Sequence, residues 1–532
     1  MIARPEQTSF SLDDFVARQE SKNLLRFIVC GSVDHGKSTL IGRLLYESKL
    51  LFDDQLDALA KASRRHGTQG DNLDLALILD GLAAEREQKI TIDVAYRFFT
   101  TERRKFIVAD APGHEQYTRN MATGASTADL ALLVVSAESG LTAQTKRHLM
   151  IVSALGVRHI VIAVNKMDLV GWSQSTFAML EAEFGTFTKD LDFDGVAFVP
   201  VAASSGDNVV SRSDHMEWYR CPTLLDHLEQ VPISPKSRST AFRMPVQWVN
   251  RPDPDFRGYS GTIAGGELHP DMPVQILPSG QWACVERILT ANGDLDHAVA
   301  GQAVTLTLAG EIDVSRGDVI AEIGAPALVT NRLAARLVWL GEEPLTPGRP
   351  YLLKLSACTT TATLEHGLRV FDLDTRKSTV ADCLPINGIG TGILGLDRAI
   401  AVDCYADNKE TGGFILIDPE SYDTVGLGTV QEVLQADRHR PVRLSTVIAD
   451  LIRSTESHAR SIVKAASWRI TGSLDTFIIA ALITGRPKVA GAVALSEVLT
   501  KTALYYFHER IWAVIGWGHK PVAAAPTLDP AE

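Results

Sequence analysis

One short stretch limits what this chain can fold into more than any other. Gly31-Ser32-Val33-Asp34-His35-Gly36-Lys37-Ser38 fits the pattern G-x-x-x-x-G-K-[ST]. It follows an apolar run ending at Cys30 and opens a segment, from Thr39 onward, with helical spacing. Strand, glycine loop and helix in that order wrap a polyphosphate with main-chain N–H groups, and the helix N-terminus adds a favourable field. In such a loop Lys37 meets the β- and γ-phosphate oxygens and Ser38 offers its hydroxyl to Mg²⁺. The sequence from Asn23 to about Pro235 agrees with this start. The apolar runs Leu25 to Cys30, Phe106 to Ala109, Leu130 to Val135, His159 to Val164 and Val196 to Val201 alternate with longer helical segments. That alternation predicts an α/β domain with a parallel sheet covered on both faces, and ligand chemistry in the loops after the strands.

Those loops carry the right residues. Asp110-Ala111-Pro112-Gly113-His114 follows a strand, so Asp110 is placed to hold the Mg²⁺ shell, Gly113 N–H to reach the γ-phosphate and His114 to orient an attacking water. Asn165-Lys166-Met167-Asp168 follows another. The Asp168 carboxylate accepts two hydrogen bonds from N1–H and N2–H₂ of guanine and finds no such donor pair on adenine, which selects GTP over ATP. Thr91, within Gln88-Lys89-Ile90-Thr91-Ile92, offers a second hydroxyl to Mg²⁺ from a segment of the kind that orders and disorders with nucleotide state. Ala202-Ala203-Ser204 follows the last strand, where the Ala203 N–H is expected to meet guanine O6. Taken singly, Asp168 is an ordinary helix cap and His114 an ordinary loop residue. Their order along the chain is what makes a site for GTP and Mg²⁺, with Lys37, His114 and Thr91 in the catalytic roles.

The rest of the chain divides by composition. At 532 residues, three or four domains are expected. A proline- and serine-rich stretch, Val231 to Thr240, reads as a linker closing a domain over 1–235. Short alternating runs between Gly, Pro and Asp turns then predict two β-barrels, at 241–328 and 331–437. A net charge of −12 argues against broad binding to nucleic acid. Six scattered cysteines without a C-x-x-C pair suggest neither a zinc site nor a disulfide framework. The N-terminus has no apolar signal segment, so a cytoplasmic location is expected.

At this point the residues resemble a known group. Val33 to Lys37, Asp110 to His114 and Asn165 to Asp168 are similar to the motifs of translation-factor-like GTPases. Within that group Asp80 to Gln88, Ile90 to Arg97, Phe256 to Tyr259, Asp207-Asn208-Val209, Glu311 to Asp318, Leu384 to Gly390 and Asn408 to Ile415 look like the large subunit of sulfate adenylyltransferase, over about residues 15 to 435. The resemblance implies a GTP-hydrolysing subunit that couples GTP cleavage to adenylylsulfate formation, with adenylyl transfer on a smaller partner subunit. It also implies two departures: Lys89 stands where the family usually has Gly, and Ala202 where it has Ser. The competing expectations are a translation factor, which would need to deliver tRNA, and a membrane-tethered regulatory GTPase.

The C-terminus differs in kind. Ile470 to Gly485 and Val489 to Phe507 are two apolar stretches of about 16 and 19 residues, close to the length that crosses a bilayer. Aromatics at Trp468, Tyr505, Tyr506, Trp512 and Trp517 lie near their ends, as at a membrane interface. The segment 455–520 resembles a small predicted-membrane family and reads as a helical hairpin contacting the inner face of the cytoplasmic membrane. Asp475, Glu497 and Lys501 interrupt it. The alternative is a soluble hairpin packed on the barrels.

Overall fold

The computed structural model describes residues 22–48, 56, 57, 59–61, 63, 73–78, 91, 93–233, 241–253, 256–310, 312–325, 327–373 and 375–434. Most of the segment before Thr91, the linker residues 234–240 and the C-terminal hairpin expected at 455–520 lie outside the described residues.

Six strands form the first sheet: β1 (Leu24–Cys30), β2 (Ala95–Thr100), β3 (Lys105–Asp110), β4 (Leu130–Ser136), β5 (His159–Asn165) and β6 (Gly195–Pro200), in the order β2-β3-β1-β4-β5-β6. β1, β3, β4, β5 and β6 run parallel, in register Ile28 with Ala109 and Val29 with Leu132. Their near-continuous apolar sequences follow from burial on both faces: all seven residues of β4 are buried. The sequence reading places no strand at β2, which pairs antiparallel to β3. Ala95-Tyr-Arg-Phe-Phe-Thr is half exposed, with Tyr96 and Phe98 open to solvent. An edge strand packed on one side lacks the apolar run that marks its neighbours.

Among the described residues five helices cover the sheet: α1 (Lys37–Glu47), α2 (Thr118–Ser126), α3 (Ala143–Ala154), α4 (Gln174–Thr188) and α5 (Leu224–Gln230). α1 and α5 bury Leu40, Ile41, Leu44, Leu224 and Leu228 against one face. α2, α3 and α4 bury Met121, Leu149 and Phe184 against the other. Each such side chain removed from water stabilises the fold by about 1.5–3 kcal/mol. Helix starts are capped as the sequence dictates. Thr142 accepts from Thr145 N–H, Ser173 from Thr176 N–H, and Thr223 with Asp226 forms a capping box.

Two β domains follow. An eight-stranded sheet spans Arg243–Pro245 to Val319–Glu322, around Phe242, Tyr259, Ile276 and Leu306. In the next, the strand Leu328–Trp339 pairs with both Ile389–Val402 and Thr424–Leu434, which closes the sheet into a ring. The fold class is therefore an α/β GTPase-type domain followed by β-barrel domains. The second barrel packs directly on the first domain. Val338, Leu340 and Ile389 join the core beneath α3 and α4, and Tyr405 Oη donates to Leu155 O at 2.8 Å. Asn387 Nδ2 donates to Glu115 O at 3.4 Å, so the barrel touches the loop that carries His114.

Candidate nucleotide site

The loop Gly31–Gly36 connects β1 to α1 at the carboxyl end of the sheet. Its shape depends on glycine where the chain is tightest. Gly31 has φ +143°, and a Cβ there would lie 2.2 Å from Val134 O on the neighbouring strand. Gly36 has φ +85°, and a Cβ would lie 2.5 Å from Asn165 Nδ2. Both positions exclude a side chain, so the loop can pass this close to β4 and Asn165 only with glycine there.

Within the loop, Lys37 is buried and its Nζ donates to Ser32 O at 2.9 Å. Burial pushes the Lys37 ammonium below its usual range, opposed by the nearby Asp110 carboxylate. Asp110 ends β3, 1% exposed. Gly113 abuts the loop so closely that a Cβ would lie 2.4 Å from Lys37 Nζ and 2.7 Å from Gly31 O. The structure thus brings together Lys37, Asp110 and Gly113, which are distant in sequence. Ser38 and Thr39 begin α1, half-buried. A cleft of about 670 Å³ opens beside them, lined by Ser32, Val33, Asp34, His35, Gly113 and His114 among others, and reaching Lys166. His114 is half-buried in its wall, and its Nδ1 accepts from Gln116 N–H at 3.4 Å. Ala111 and Pro112 are buried behind it.

His35 serves the scaffold. Its Nδ1 donates to Val134 O at 3.2 Å and its Nε2 accepts from Ser139 Oγ at 3.1 Å, and burial holds its pKa down.

The second half of the site is built around Asn165, 2% exposed at the end of β5. Its Nδ2 donates to His35 O at 2.9 Å and its Oδ1 accepts from Ala203 N at 3.0 Å. One side chain therefore ties the phosphate loop to the loop after β6. Lys166 takes a left-handed conformation, φ 62°, after which Met167 is buried and Asp168 stays half open. Asp168 Oδ2 accepts from Ser204 Oγ at 3.3 Å, so the Asp168 carboxylate stands beside the Ala203-Ser204 loop.

The Ala203 N–H, assigned to guanine O6, is engaged by Asn165 in this arrangement. Asn165 has only one acceptor to satisfy a buried amide, and the buried amide claims it. Thr91 is half-buried.

Sequence reasoning missed three residues that shape the site. The Gly31 N–H donates to Nδ1 of His148, on α3, at 3.1 Å. Arg43, on α1, donates to Ala203 O at 2.9 Å and also to Ser204 O. Asp207 gathers side-chain donors from several loops. Helical spacing from the Thr142 cap puts His148 on the buried face of α3, but nothing local names its partner.

The donor set fits a hard cation. A serine hydroxyl and a buried carboxylate beside a buried lysine are oxygen ligands of the kind Mg²⁺ takes together with phosphate and water.

Comparison with known proteins agrees with this geometry. Residues 22–233 match the Elongation factor Tu GTP binding domain, 332–431 the GTP-eEF1A C-terminal domain-like family, and 462–513 a family described as Predicted membrane protein (DUF2061). A protein of Methylorubrum extorquens (strain PA1) named Sulfate adenylyltransferase subunit 1 is 53% identical over 84% of this chain and 96% of its own length. Its namesake in Vibrio vulnificus (strain CMCP6) is 51% identical over 80% of this chain and 89% of its own. The Bifunctional enzyme NodQ of Rhizobium sp. (strain N33) is 51% identical over 79% of this chain but 65% of its own length. With nearly the whole of the first relative aligned at more than half identity, and the phosphate and base loops assembled as described, this chain belongs to the sulfate adenylyltransferase subunit 1 family.

Proposed function

We propose that this chain hydrolyses GTP and couples the cleavage to formation of adenylylsulfate and pyrophosphate from ATP and sulfate, the adenylyl transfer taking place on a smaller partner subunit. The observation that carries the reading is the joining of the phosphate loop to the base loop through Asn165, within a chain of this family. Lys37 and the amides of Ser32 to Lys37 bind the β- and γ-phosphates. Asp168 reads the guanine N1–H and N2–H₂, and adenine offers it no such donor pair. Ser38, Asp110 and Thr91 would hold Mg²⁺, which would supply positive charge against the phosphate oxygens. His114 orients the attacking water at the cleft wall, and Gly113 N–H meets the γ-phosphate. The carbonyl of Glu115, one residue on, receives Asn387 of the second barrel, so movement of this loop on cleavage reaches the rest of the molecule. Coupling requires that the partner bind the GTP and GDP states with different affinity. Pyrophosphate release from ATP plus sulfate by the reconstituted pair, with and without GTP, tests the reading. Release that GTP leaves unchanged overturns it.

The segment 455–520 we assign to the inner face of the cytoplasmic membrane. Its two apolar stretches and the predicted-membrane family matched at 462–513 support this. Among the described residues no helix is long and apolar enough to cross a membrane. Recovery of the full chain wholly in the soluble fraction of a lysate decides against it.

A further inference from the structure

Asp207 belongs to the loop after β6 and takes no part in the roles assigned above. Its side chain is 9% exposed, and each carboxylate oxygen accepts from two side chains. Oδ1 accepts from Ser213 Oγ at 2.5 Å and from His215 Nδ1 at 3.3 Å. Oδ2 accepts from Ser205 Oγ at 2.5 Å and from Trp172 Nε1 at 3.3 Å. Burial alone would raise the carboxyl pKa, but the four donated bonds outweigh it and hold the group ionised below the usual carboxylate range.

The donors to Oδ2 come from the two loops that flank the base. Ser205 directly follows the Ala203-Ser204 loop. Trp172 closes the turn that carries Asp168, its own N–H returning to Met167 O at 2.7 Å. The main chain adds to the tie, since Ala202 N–H donates to Asp207 O at 3.2 Å and Gly206 N–H to Ala202 O at 2.8 Å. Trp172 is itself held in place, stacked on His215 with centroids 4.2 Å apart. One carboxylate oxygen thus joins the Asp168 turn to the Ala203-Ser204 loop from behind, beside the direct, exposed bond from Ser204 Oγ to Asp168.

We propose that Asp207 is a positioning residue for guanine: by bonding Ser205 and Trp172 through one oxygen it sets the separation of the Asp168 carboxylate from the Ala203-Ser204 amides, and with it the preference for guanine. The inference rests on the reading of Asp168 as the base-reading residue. Recognition of guanine needs the carboxylate and the O6 donor in register, and hydrogen bonds weaken steeply when misaligned. The phosphate loop has an anchor outside the base loops, the Gly31 N–H bond to His148, and Trp172→Phe touches neither that bond nor the two made by Asn165, so the phosphate contacts stay in place.

The test compares affinities of the full chain for GDP and, by competition, for ADP. Trp172→Phe removes the one N–H that links the Asp168 turn to Asp207 and keeps an aromatic ring against His215. Asp207→Asn replaces one acceptor oxygen by an NH₂ that faces donors. Loss of a bond to a charged group is worth roughly tenfold in affinity. The expected result is therefore a GDP affinity about tenfold weaker in W172F and weaker still in D207N, with ADP affinity within about twofold of the parent in W172F. An unchanged GDP affinity in W172F overturns the proposal, as does an equal fall for GDP and ADP, which marks general loss of structure. Asp168→Asn, measured alongside, separates two failures. If D168N keeps its preference for GDP, the base assignment falls and this inference with it. If D168N loses the preference while W172F and D207N keep it, only the inference falls.

Discussion

The main-chain N–H of Gly31 donates to Nδ1 of His148 at 3.1 Å, across 117 residues of sequence. The imidazole is fully buried, and burial first, then the charge of Lys37, pushes its pKa down to about 3. It is therefore a neutral acceptor wherever the protein works, and the first amide of the phosphate loop is held by a group that does not titrate in that range.

A pH dependence follows from this pair. In the unfolded chain His148 takes up a proton near 6.5, while in the native state it does so only near 3. Between those values the unfolded state binds more protons, so stability falls as pH drops from about 6.5 toward 3 and is unaffected above. The slope from this one group is at most about 1.4 kcal/mol per pH unit. Denaturant unfolding at pH 5.5 and 7.5 should show a smaller difference for His148→Asn, which keeps an acceptor near Gly31 but does not titrate. His148→Leu strands a buried N–H and should cost about 1–3 kcal/mol at both. Equal pH sensitivity in parent and H148N would contradict the assignment.

Lys37→Ala should reduce GTP affinity by about a hundredfold and bring GTP-stimulated pyrophosphate release to background, because the phosphates lose their one buried ammonium. Partner binding in the absence of nucleotide should survive, since Lys37 is buried at the loop. Full stimulation in the variant would remove the central element of the proposed function.

Gly113→Ala places a methyl 2.4 Å from Lys37 Nζ and 2.7 Å from Gly31 O, so the Asp110–His114 loop must withdraw from the phosphates. Turnover of GTP should fall at least roughly tenfold, because displacement of the reacting groups by a fraction of an ångström is costly in rate. The thermal midpoint should change little. A wild-type rate would show that the loop does not close on the nucleotide.

Between the two barrels, Arg243 grips Asp403 with two bonds of 3.1 and 3.3 Å, and Arg243 is 4% exposed. Thr411 Oγ1 adds a third donor at 2.6 Å. Arg243→Ala strips the cation from a carboxylate that is only 13% exposed and should destabilise by about 2–3 kcal/mol. Arg243→Lys should recover only part of this, because an ammonium cannot supply the fork. A loss below about 1 kcal/mol on denaturation of the full chain would mean that the barrels do not depend on the pair.

The residues of the site were largely legible in sequence because each sits in a strong local pattern. An apolar run makes a buried strand, the loop after it faces the ligand side, and Gly31, Gly36, Lys37, Asp110, Asn165 and Asp168 stand at fixed offsets from those runs. β2 was not legible, since an edge strand buries one side and shows Tyr96 and Phe98 to solvent. Nor were the partners. That Gly31 meets His148, that the Ala203 amide is taken by Asn165, and that Asp207 collects Trp172, Ser205, Ser213 and His215 depend on which strands lie side by side and in what register. Local propensity and periodicity determine where a strand or helix begins and which face is apolar. A buried donor's acceptor is decided only when the sheet order is set, because the cost of leaving either unpaired is felt in the packed interior alone.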